Sequence, residues 1–168
     1  MNPSIDFAEI ILKRDYSAIA FMSGNDDNPS LRGSVKFYQT GYGGILVVAE
    51  IFGLPDKEST FEMTNNKKSG FFAMHIHEKG DCTIPFDKTG NHYNPYNSKH
   101  PDHIGDMPPL LSNNGYAFSV VYDDRFSIAQ IIGKSVIIHR NADDFVTQPS
   151  GNAGDKIGCG IILQNKKK

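Results

Sequence analysis

The sequence predicts an all-β fold, built as an antiparallel sandwich or barrel. Three observations favour this class: apolar or alternating segments of strand length recur, Gly, Pro, Asn and Asp fill the gaps between them, and helical periodicity is nearly absent. The chain has 168 residues, of which 39% are hydrophobic and 21% charged. This length and composition are typical of one globular domain that needs neither a metal nor a disulfide merely to fold.

The chain divides into three predicted parts: an N-terminal extension at residues 1–14, a β-domain at residues 15–165 and a basic tail at residues 166–168. Within the extension, Ser4 is a candidate N-cap for a short helix that has Phe7, Ile10 and Ile11 on one face.

Seven segments of the β-domain have the composition of strands, at residues 16–22, 33–39, 45–51, 71–78, 116–122, 135–140 and 156–163. Residues 39–44 are a predicted hairpin connection, in which Gly43 and Gly44 supply positive φ. Two long connections remain, at residues 79–114 and 141–155. Loops of that length in a compact domain are usually functional, so we expect the site there.

The charge balance narrows the classes of partner. Seventeen Lys and Arg residues against nineteen Asp and Glu give a formal net charge of −2. A general nucleic-acid binder is expected to be basic, so we expect no nucleic-acid partner. No stretch approaches 18 apolar residues, so we expect no membrane partner. The start of the chain lacks the features of a secretory signal, so we expect a cytoplasmic location.

All six histidines lie between positions 75 and 139: His75, His77, His92, His100, His103 and His139. His75 and His77 are two positions apart on a predicted strand, so their side chains point to the same sheet face and can hold one metal. The alternative is the exposed polar face of a half-buried strand. His139 ends the apolar run 136–138 and is either a hydrogen-bonded core histidine or a ligand from a neighbouring strand.

A second group of metal-binding residues follows in the long loop: His92, His100, His103 and Asp106. Three nitrogens and one carboxylate oxygen complete a tetrahedral shell, which suits a structural zinc site. Asp143 follows the last histidine and is a candidate acceptor for ring N–H groups of ligating histidines.

At these residues the chain resembles the copper–zinc superoxide dismutases, over roughly residues 18–163. The matching segments are MHIHEKGDC at 74–82, similar to the first copper motif; GNHYNP at 90–95, similar to the bridging-histidine motif; HIGD at 103–106, similar to the end of the zinc loop; IIGKSVIIH at 131–139, similar to the strand of the last copper ligand; and GNAG at 151–154 with Cys159-Gly160, similar to the closing signature. The opening segments 33–39 and 49–55 are similar to the family's first hairpin.

The resemblance implies an eight-stranded Greek-key β-barrel with long metal-binding loops. It implies two cofactors, a copper ion held by His75, His77, His92 and His139, and a zinc ion held by His92, His100, His103 and Asp106. His92 would bridge the two metals and Asp143 would link their sites by hydrogen bonds. Cys82 and Cys159 would form the intrasubunit disulfide, which makes an extracytoplasmic location the alternative to the cytoplasm.

The activity implied is that of superoxide dismutase (EC 1.15.1.1), which converts the superoxide anion into dioxygen and hydrogen peroxide. In the family His92 would take up a proton on reduction of copper. Lys156 stands where the family has its active-site arginine, so we expect Lys156 to guide the anion. The alternative for Lys156 is a solvated strand end paired with Asp155.

The connection at 141–155, with Thr147-Gln148-Pro149, resembles that of bacterial members of the family. A homodimer is a possible assembly. The alternative function is a non-catalytic copper- and zinc-binding module, which Lys156 alone keeps open, since all four copper positions hold histidine.

Overall fold

The computed structural model describes residues 7–12, 15–41, 43–55 and 69–166. The described residues form nine strands: β1 (Ala18–Gly24), β2 (Arg32–Gln39), β3 (Ile45–Phe52), β4 (Ser69–Phe72), β5 (Met74–His77), β6 (Leu110–Asn113), β7 (Ala117–Asp123), β8 (Ser135–His139) and β9 (Lys156–Gln164). They also form the helices α1 (Phe7–Leu12) and α2 (Ile128–Ile131) and a 3-10 turn at Asp87–Thr89. The predicted cap Ser4 and the last two residues of the basic tail lie outside the described residues.

Seven strands form one antiparallel sheet in the order β5-β8-β9-β1-β2-β3-β7, and β4 pairs with β6. The small sheet links the two ends of the large one. β4 is separated from β5 only by Ala73, and β6 turns directly into β7 through reciprocal backbone hydrogen bonds of 2.7 and 3.2 Å between Asn113 and Tyr116. With β4 and β5 counted as one barrel strand, the described strands give the eight-stranded Greek-key barrel. The all-β antiparallel fold is confirmed.

The predicted single strand at 71–78 is interrupted at Ala73. There the backbone changes partners: the Ala73 amide donates to the Asn141 carbonyl at 2.7 Å, and the Ala73 carbonyl accepts from the His139 amide at 2.9 Å. The chain thereby leaves the ladder with β6 and enters the one with β8. A strand is also present within the predicted 79–114 connection, where Leu110 and Ser112 of β6 are buried and Leu111 and Asn113 are exposed.

The barrel interior is filled by one apolar cluster, which includes Val35, Phe37, Val47, Ile51, Met74, Ile76, Val136, Ile138 and Ile162. On β5, Met74 and Ile76 belong to this core, so the alternate residues His75 and His77 point to the outer face of the barrel. β8 ends at His139 after a register shift against β9. The two long connections cover this outer face, which places the candidate site between barrel and loops.

The predicted hairpin connection at residues 39–44 is confirmed, and its glycines have the predicted positive φ. Gly43 and Gly44 have φ of 80° and 63°, a left-handed conformation that glycine adopts without steric cost. Among the described residues, no helix has the length and apolar character that crossing a membrane requires.

Cys82 and Cys159 form the disulfide that the resemblance implied. The bond ties the start of the long 79–114 connection to β9. Cys159 and its partner pack with the buried side chains of Phe86 and Ile137. The segment that leads from β5 to the loop histidines is therefore attached covalently to the barrel.

We expect removal of this bond to destabilise the protein by about 4–5 kcal/mol at most, because a disulfide that closes so long a loop restricts the unfolded chain. The residues are 77 positions apart. Thiol counting on denatured, unreduced protein should find no free thiol, and reduction should lower the free energy of unfolding. A Cys82→Ser/Cys159→Ser variant should not respond to reductant. Two free thiols in the air-oxidised protein would contradict the bond.

Candidate metal centre

Strand β5 presents His75 and His77 side by side, both buried, with 0% and 2% of their surface exposed. The alternative, in which these two histidines form the exposed polar face of a strand, is therefore wrong. The Nδ1 atom of His77 donates to the Gly90 carbonyl at 2.9 Å, so its Nε2 atom points into the site. The Nε2 atom of His75 donates to Asp143 Oδ2 at 2.8 Å, which leaves its Nδ1 atom on the opposite side of the ring.

His139 reaches the same place from the end of β8. Its Nδ1 atom donates to the Gly154 carbonyl at 3.0 Å, and its Nε2 atom lies 3.2 Å from Nε2 of His77. A backbone carbonyl thus orients each of these two rings, which is the usual support of a metal-binding imidazole. The first group of possible metal ligands is complete with His75, His77, His92 and His139, whose ligand atoms all lie within 4.8 Å of one another.

The loop that carries His92 is attached to β5 by backbone hydrogen bonds. The Tyr93 amide donates to the Ile76 carbonyl at 2.8 Å, and the Ile76 amide donates to the Gly105 carbonyl at 2.9 Å. A side chain at position 105 would collide with the Ile76 carbonyl, so this close approach requires glycine. These bonds fix both His92 and Asp106, the residues next to the two anchors.

The second group of possible ligands consists of His92, His100, His103 and Asp106, with ligand atoms again within 4.8 Å of one another and all four residues buried. Asp106 lies at its centre: its Oδ1 atom is 2.7 Å from Nδ1 of His92, and its Oδ2 atom accepts the His103 amide at 3.1 Å. His92 is the one residue common to both groups.

Asp143 connects the two groups by hydrogen bonds. Its Oδ2 atom accepts from His75 and its Oδ1 atom from Nε2 of His100, both at 2.8 Å. Burial disfavours the ionised carboxylate and by itself would raise its pKa. The hydrogen bonds from His75, the Phe145 amide and His100 outweigh burial and lower the pKa of Asp143 to about 2. A permanently charged carboxylate therefore holds one ring of each group. Gly151 packs against the hydrogen bond between Asp143 and His100, since a Cβ at position 151 would lie 2.6 Å from His100 Nε2.

Three buried ring nitrogens have no hydrogen-bond partner among the described residues: Nδ1 of His75, Nε2 of His92 and Nδ1 of His100. The last lies 3.0 Å from Asp106 Oδ2 but outside hydrogen-bonding geometry. Buried polar atoms without partners are costly and rare, and neutral imidazole nitrogens are ligands of zinc and copper. The donor sets of both groups therefore fit metal ions.

Burial also keeps three histidines of the first group, His75, His77 and His139, neutral. It lowers the pKa of His75, lowers that of His77 further, and lowers that of His139 to about 3, aided at His139 by repulsion from His75. A metal ligand must be an unprotonated imidazole. The fold therefore presents these rings in the state that metal binding requires.

Lys156, the first residue of β9, lines a cavity of about 460 Å³ together with His77, His92 and His139. Its Nζ atom donates to Thr89 Oγ1 at 2.9 Å and to the Gly90 carbonyl at 3.0 Å. Among the described residues it forms no ion pair with Asp155, so the pairing considered as an alternative is absent. Burial lowers the pKa of Lys156, while Asp87 opposes that shift.

Sequence reasoning missed the contact that Gln148 makes with this centre. The side-chain amide of Gln148 accepts the backbone N–H of His100 at 3.0 Å and donates to its carbonyl at 2.6 Å. The connection at 141–155 therefore holds the ring of His100 through Asp143 and its backbone through Gln148.

Comparison with known proteins agrees with this geometry. The family model described as copper/zinc superoxide dismutase (SODC) matches residues 31–162. The chain belongs to the copper/zinc superoxide dismutase family. Membership in this family implies copper and zinc, and the two histidine groups have donor sets that fit metal ions.

Similar proteins come from several kingdoms. Superoxide dismutase [Cu-Zn] 3 of Arabidopsis thaliana is 32% identical, over 86% of this chain and 88% of that protein. The extracellular superoxide dismutase [Cu-Zn] of Drosophila melanogaster is 34% identical, over 86% and 83%. The crystal structure of a SOD-like protein from Bacillus subtilis is similar with a TM-score of 0.70 and 25% identity, over 87% and 98%.

We expect the metal-free protein to lose stability as the pH falls from about 6.5 to 4.5. The pKa values of His75, His77 and His139 are lower in the folded state than the ordinary 6.5, so the unfolded chain binds more protons in this range. Each excess proton contributes a slope of about 1.4 kcal/mol per pH unit. Urea unfolding of the protein after its metals have been removed with a chelator, repeated across this pH range, measures the loss of stability.

A His139→Asn variant is the control for this titration. It lacks one of the titrating rings, so its stability should depend less steeply on pH than that of the parent. Equal stability of the metal-free parent at pH 6.5 and 4.5 would contradict the burial of neutral imidazoles.

Proposed function

We propose that this protein is a superoxide dismutase, in which two superoxide anions and two protons become one dioxygen and one hydrogen peroxide. His75, His77, His92 and His139 hold copper. His92, His100, His103 and Asp106 hold zinc. The four nitrogens of the first group suit copper, whose affinity is highest in the divalent series, and the N₃O set suits zinc.

The observation that carries this proposal is the position of His92. Its Nδ1 atom lies 2.7 Å from Asp106 in the second group, its Nε2 atom has no hydrogen-bond partner in the described part of the chain, and the residue belongs to both groups. One imidazole thus offers a nitrogen to each site. Bound copper supplies a one-electron couple between the cupric and cuprous states. His92 can hold a proton at Nε2 while Nδ1 stays engaged on the zinc side, which supplies a proton next to the reduced oxygen species.

Lys156 provides a positive charge in the lining of the cavity. It is the basic residue among those lining the cavity beside His77 and His139, and three acceptors from the 86–90 segment hold its ammonium group. A cation fixed at the mouth of a cavity raises the encounter rate of a small anion by electrostatic attraction. We therefore assign anion guidance to Lys156.

The competing candidate is a non-catalytic metal-binding module, favoured by the similarity to a protein described as SOD-like. Metal analysis combined with a superoxide assay separates the two. Stoichiometric copper and zinc with dismutation would support the enzyme. Stoichiometric copper without dismutation would support the module. Retention of histidine at all four copper positions favours the enzyme.

The Cys82–Cys159 bond bears on location, because disulfides persist in oxidising compartments and are rare in the cytosol. It favours the extracytoplasmic alternative over the cytoplasmic location expected from the start of the sequence. A relative from Drosophila melanogaster is an extracellular superoxide dismutase. The homodimer stays a prediction.

His92→Ala should weaken both metal sites, whereas His139→Ala should weaken copper binding alone, because only His92 belongs to both groups. Loss of a residue that merely supports a ligand costs about 10–100-fold in metal affinity, so loss of a ligand should cost more. Metal content after dialysis against a chelator measures this. Equal zinc loss in the two variants would contradict the bridging assignment.

Lys156→Ala should lower the dismutation rate at low salt by about ten-fold, the lower end of electrostatic steering, and flatten its dependence on ionic strength. Lys156→Arg should raise the rate, because a planar guanidinium retains the charge and adds donors in a fixed geometry.

Lys36→Ala is the control for Lys156→Ala, since it removes the same charge from β2, where Lys36 lies over the Tyr16 ring. Its rate should match that of the parent. If Lys156→Ala also matched the parent at low salt, anion guidance would have to come from elsewhere.

A further inference from the structure

Arg125, in the connection between β7 and α2, contacts the end of the zinc-side loop. Its Nη1 atom donates to the His103 carbonyl at 3.2 Å, and its Nη2 atom donates to the Asp106 carbonyl at 2.5 Å. These are backbone atoms of two residues whose side chains belong to the second ligand group. A single guanidinium therefore binds two of the four residues of that group from outside the site.

The guanidinium is itself fixed by Asp123, the last residue of β7. Arg125 Nε lies 3.0 Å from Asp123 Oδ1, and Nη2 lies 2.6 Å from Oδ2, so the pair is bidentate. The side chain of Asp123 is 4% exposed, and its Oδ1 atom also accepts the Arg125 amide at 2.9 Å. A buried carboxylate at the end of a barrel strand thus sets the plane of the arginine.

The segment that Arg125 holds is a tight turn. The Asp106 amide donates to the His103 carbonyl at 3.1 Å, and the His103 amide donates to Asp106 Oδ2 at 3.1 Å. Rotation of this turn would move the His103 ring and the Asp106 carboxylate together. A clamp on both carbonyls opposes that rotation without touching a ligand atom.

We propose that Arg125 is a positioning residue for the second metal site, fixing the turn that presents His103 and Asp106, with Asp123 as its anchor. This inference rests on the assignment of zinc to that group. The guanidinium uses two of its edges at once. The Nε/Nη2 edge binds the carboxylate, and the Nη1/Nη2 edge binds the two carbonyls. Lysine keeps the charge but lacks the fork, so it cannot make these contacts together.

The test compares Arg125→Lys and Asp123→Asn with the parent in two measurements: zinc affinity, by competition with a chromogenic chelator, and the visible absorption spectrum of Co(II) bound in place of zinc. Supporting groups around metal ligands typically contribute 10–100-fold to affinity, so Arg125→Lys should bind zinc about ten-fold more weakly and give an altered Co(II) spectrum. Asp123→Asn should shift both in the same direction and by less.

Arg32→Lys is the matched control. Arg32 lies on β2 and its guanidinium donates to the Ser30 carbonyl. This variant should reproduce the zinc affinity and the Co(II) spectrum of the parent. The Arg125→Lys/Asp123→Asn double variant should be no worse than Arg125→Lys alone, because the two residues act as one unit.

The outcomes distinguish failure of the Arg125 proposal from failure of the zinc assignment. Parental zinc affinity and Co(II) spectrum in both Arg125→Lys and Asp123→Asn would overturn the proposal, even if the free energy of unfolding of the metal-free protein fell, since that would show a role in folding alone. If Arg125→Lys does not fold, Asp123→Asn decides by the same criteria. A parent protein that binds neither zinc nor Co(II) would overturn the zinc assignment itself, and the role of Arg125 with it.

Discussion

One imidazole, that of His92, has to serve two neighbouring groups of side chains, and the architecture around the site follows from this constraint. His92 lies in both ligand groups, with its ring centroid 3.9 Å from that of His75 and 5.6 Å from that of His103. Imidazoles packed together in a buried site repel one another when protonated, and burial lowers the pKa values of His77 and His139 so that these rings are neutral. The result is a compact array of nitrogen donors that is costly to hold without metal and well suited to binding it.

Rigid elements carry this array wherever precision matters most. His75, His77 and His139 come from adjacent strands β5 and β8, so their spacing is set by the sheet. The loop residues gain comparable order by attachment: backbone bonds join the loop to Ile76, the disulfide joins it to β9, and Asp143 joins one ring of each group. Ring orientation comes from the carbonyls of Gly90 and Gly154. Ligand residues that lie in long connections are therefore held in fixed positions relative to the strands.

Much of this could be predicted from the sequence, because metal ligands must be particular residue types at restricted spacings. The strand alternation placed His75 and His77 on one face, and several motifs in order pointed to the family and to Cys82 with Cys159. The interruption at Ala73 could not be foreseen, since it depends on partners far away in the chain. Gln148 and Arg125 escaped for another reason: both act on backbone atoms, and a contact to a carbonyl imposes no residue pattern on the segment it touches.

The shared use of His92 is the central claim, and crystallography of the protein loaded with copper and zinc tests it most directly. Anomalous scattering at the two absorption edges identifies each metal separately. We expect copper at Nε2 of His92, among His75, His77 and His139, and zinc at Nδ1 of the same ring, among His100, His103 and Asp106. Copper and zinc sites that do not share His92, or a single metal bound between the two groups, would contradict it.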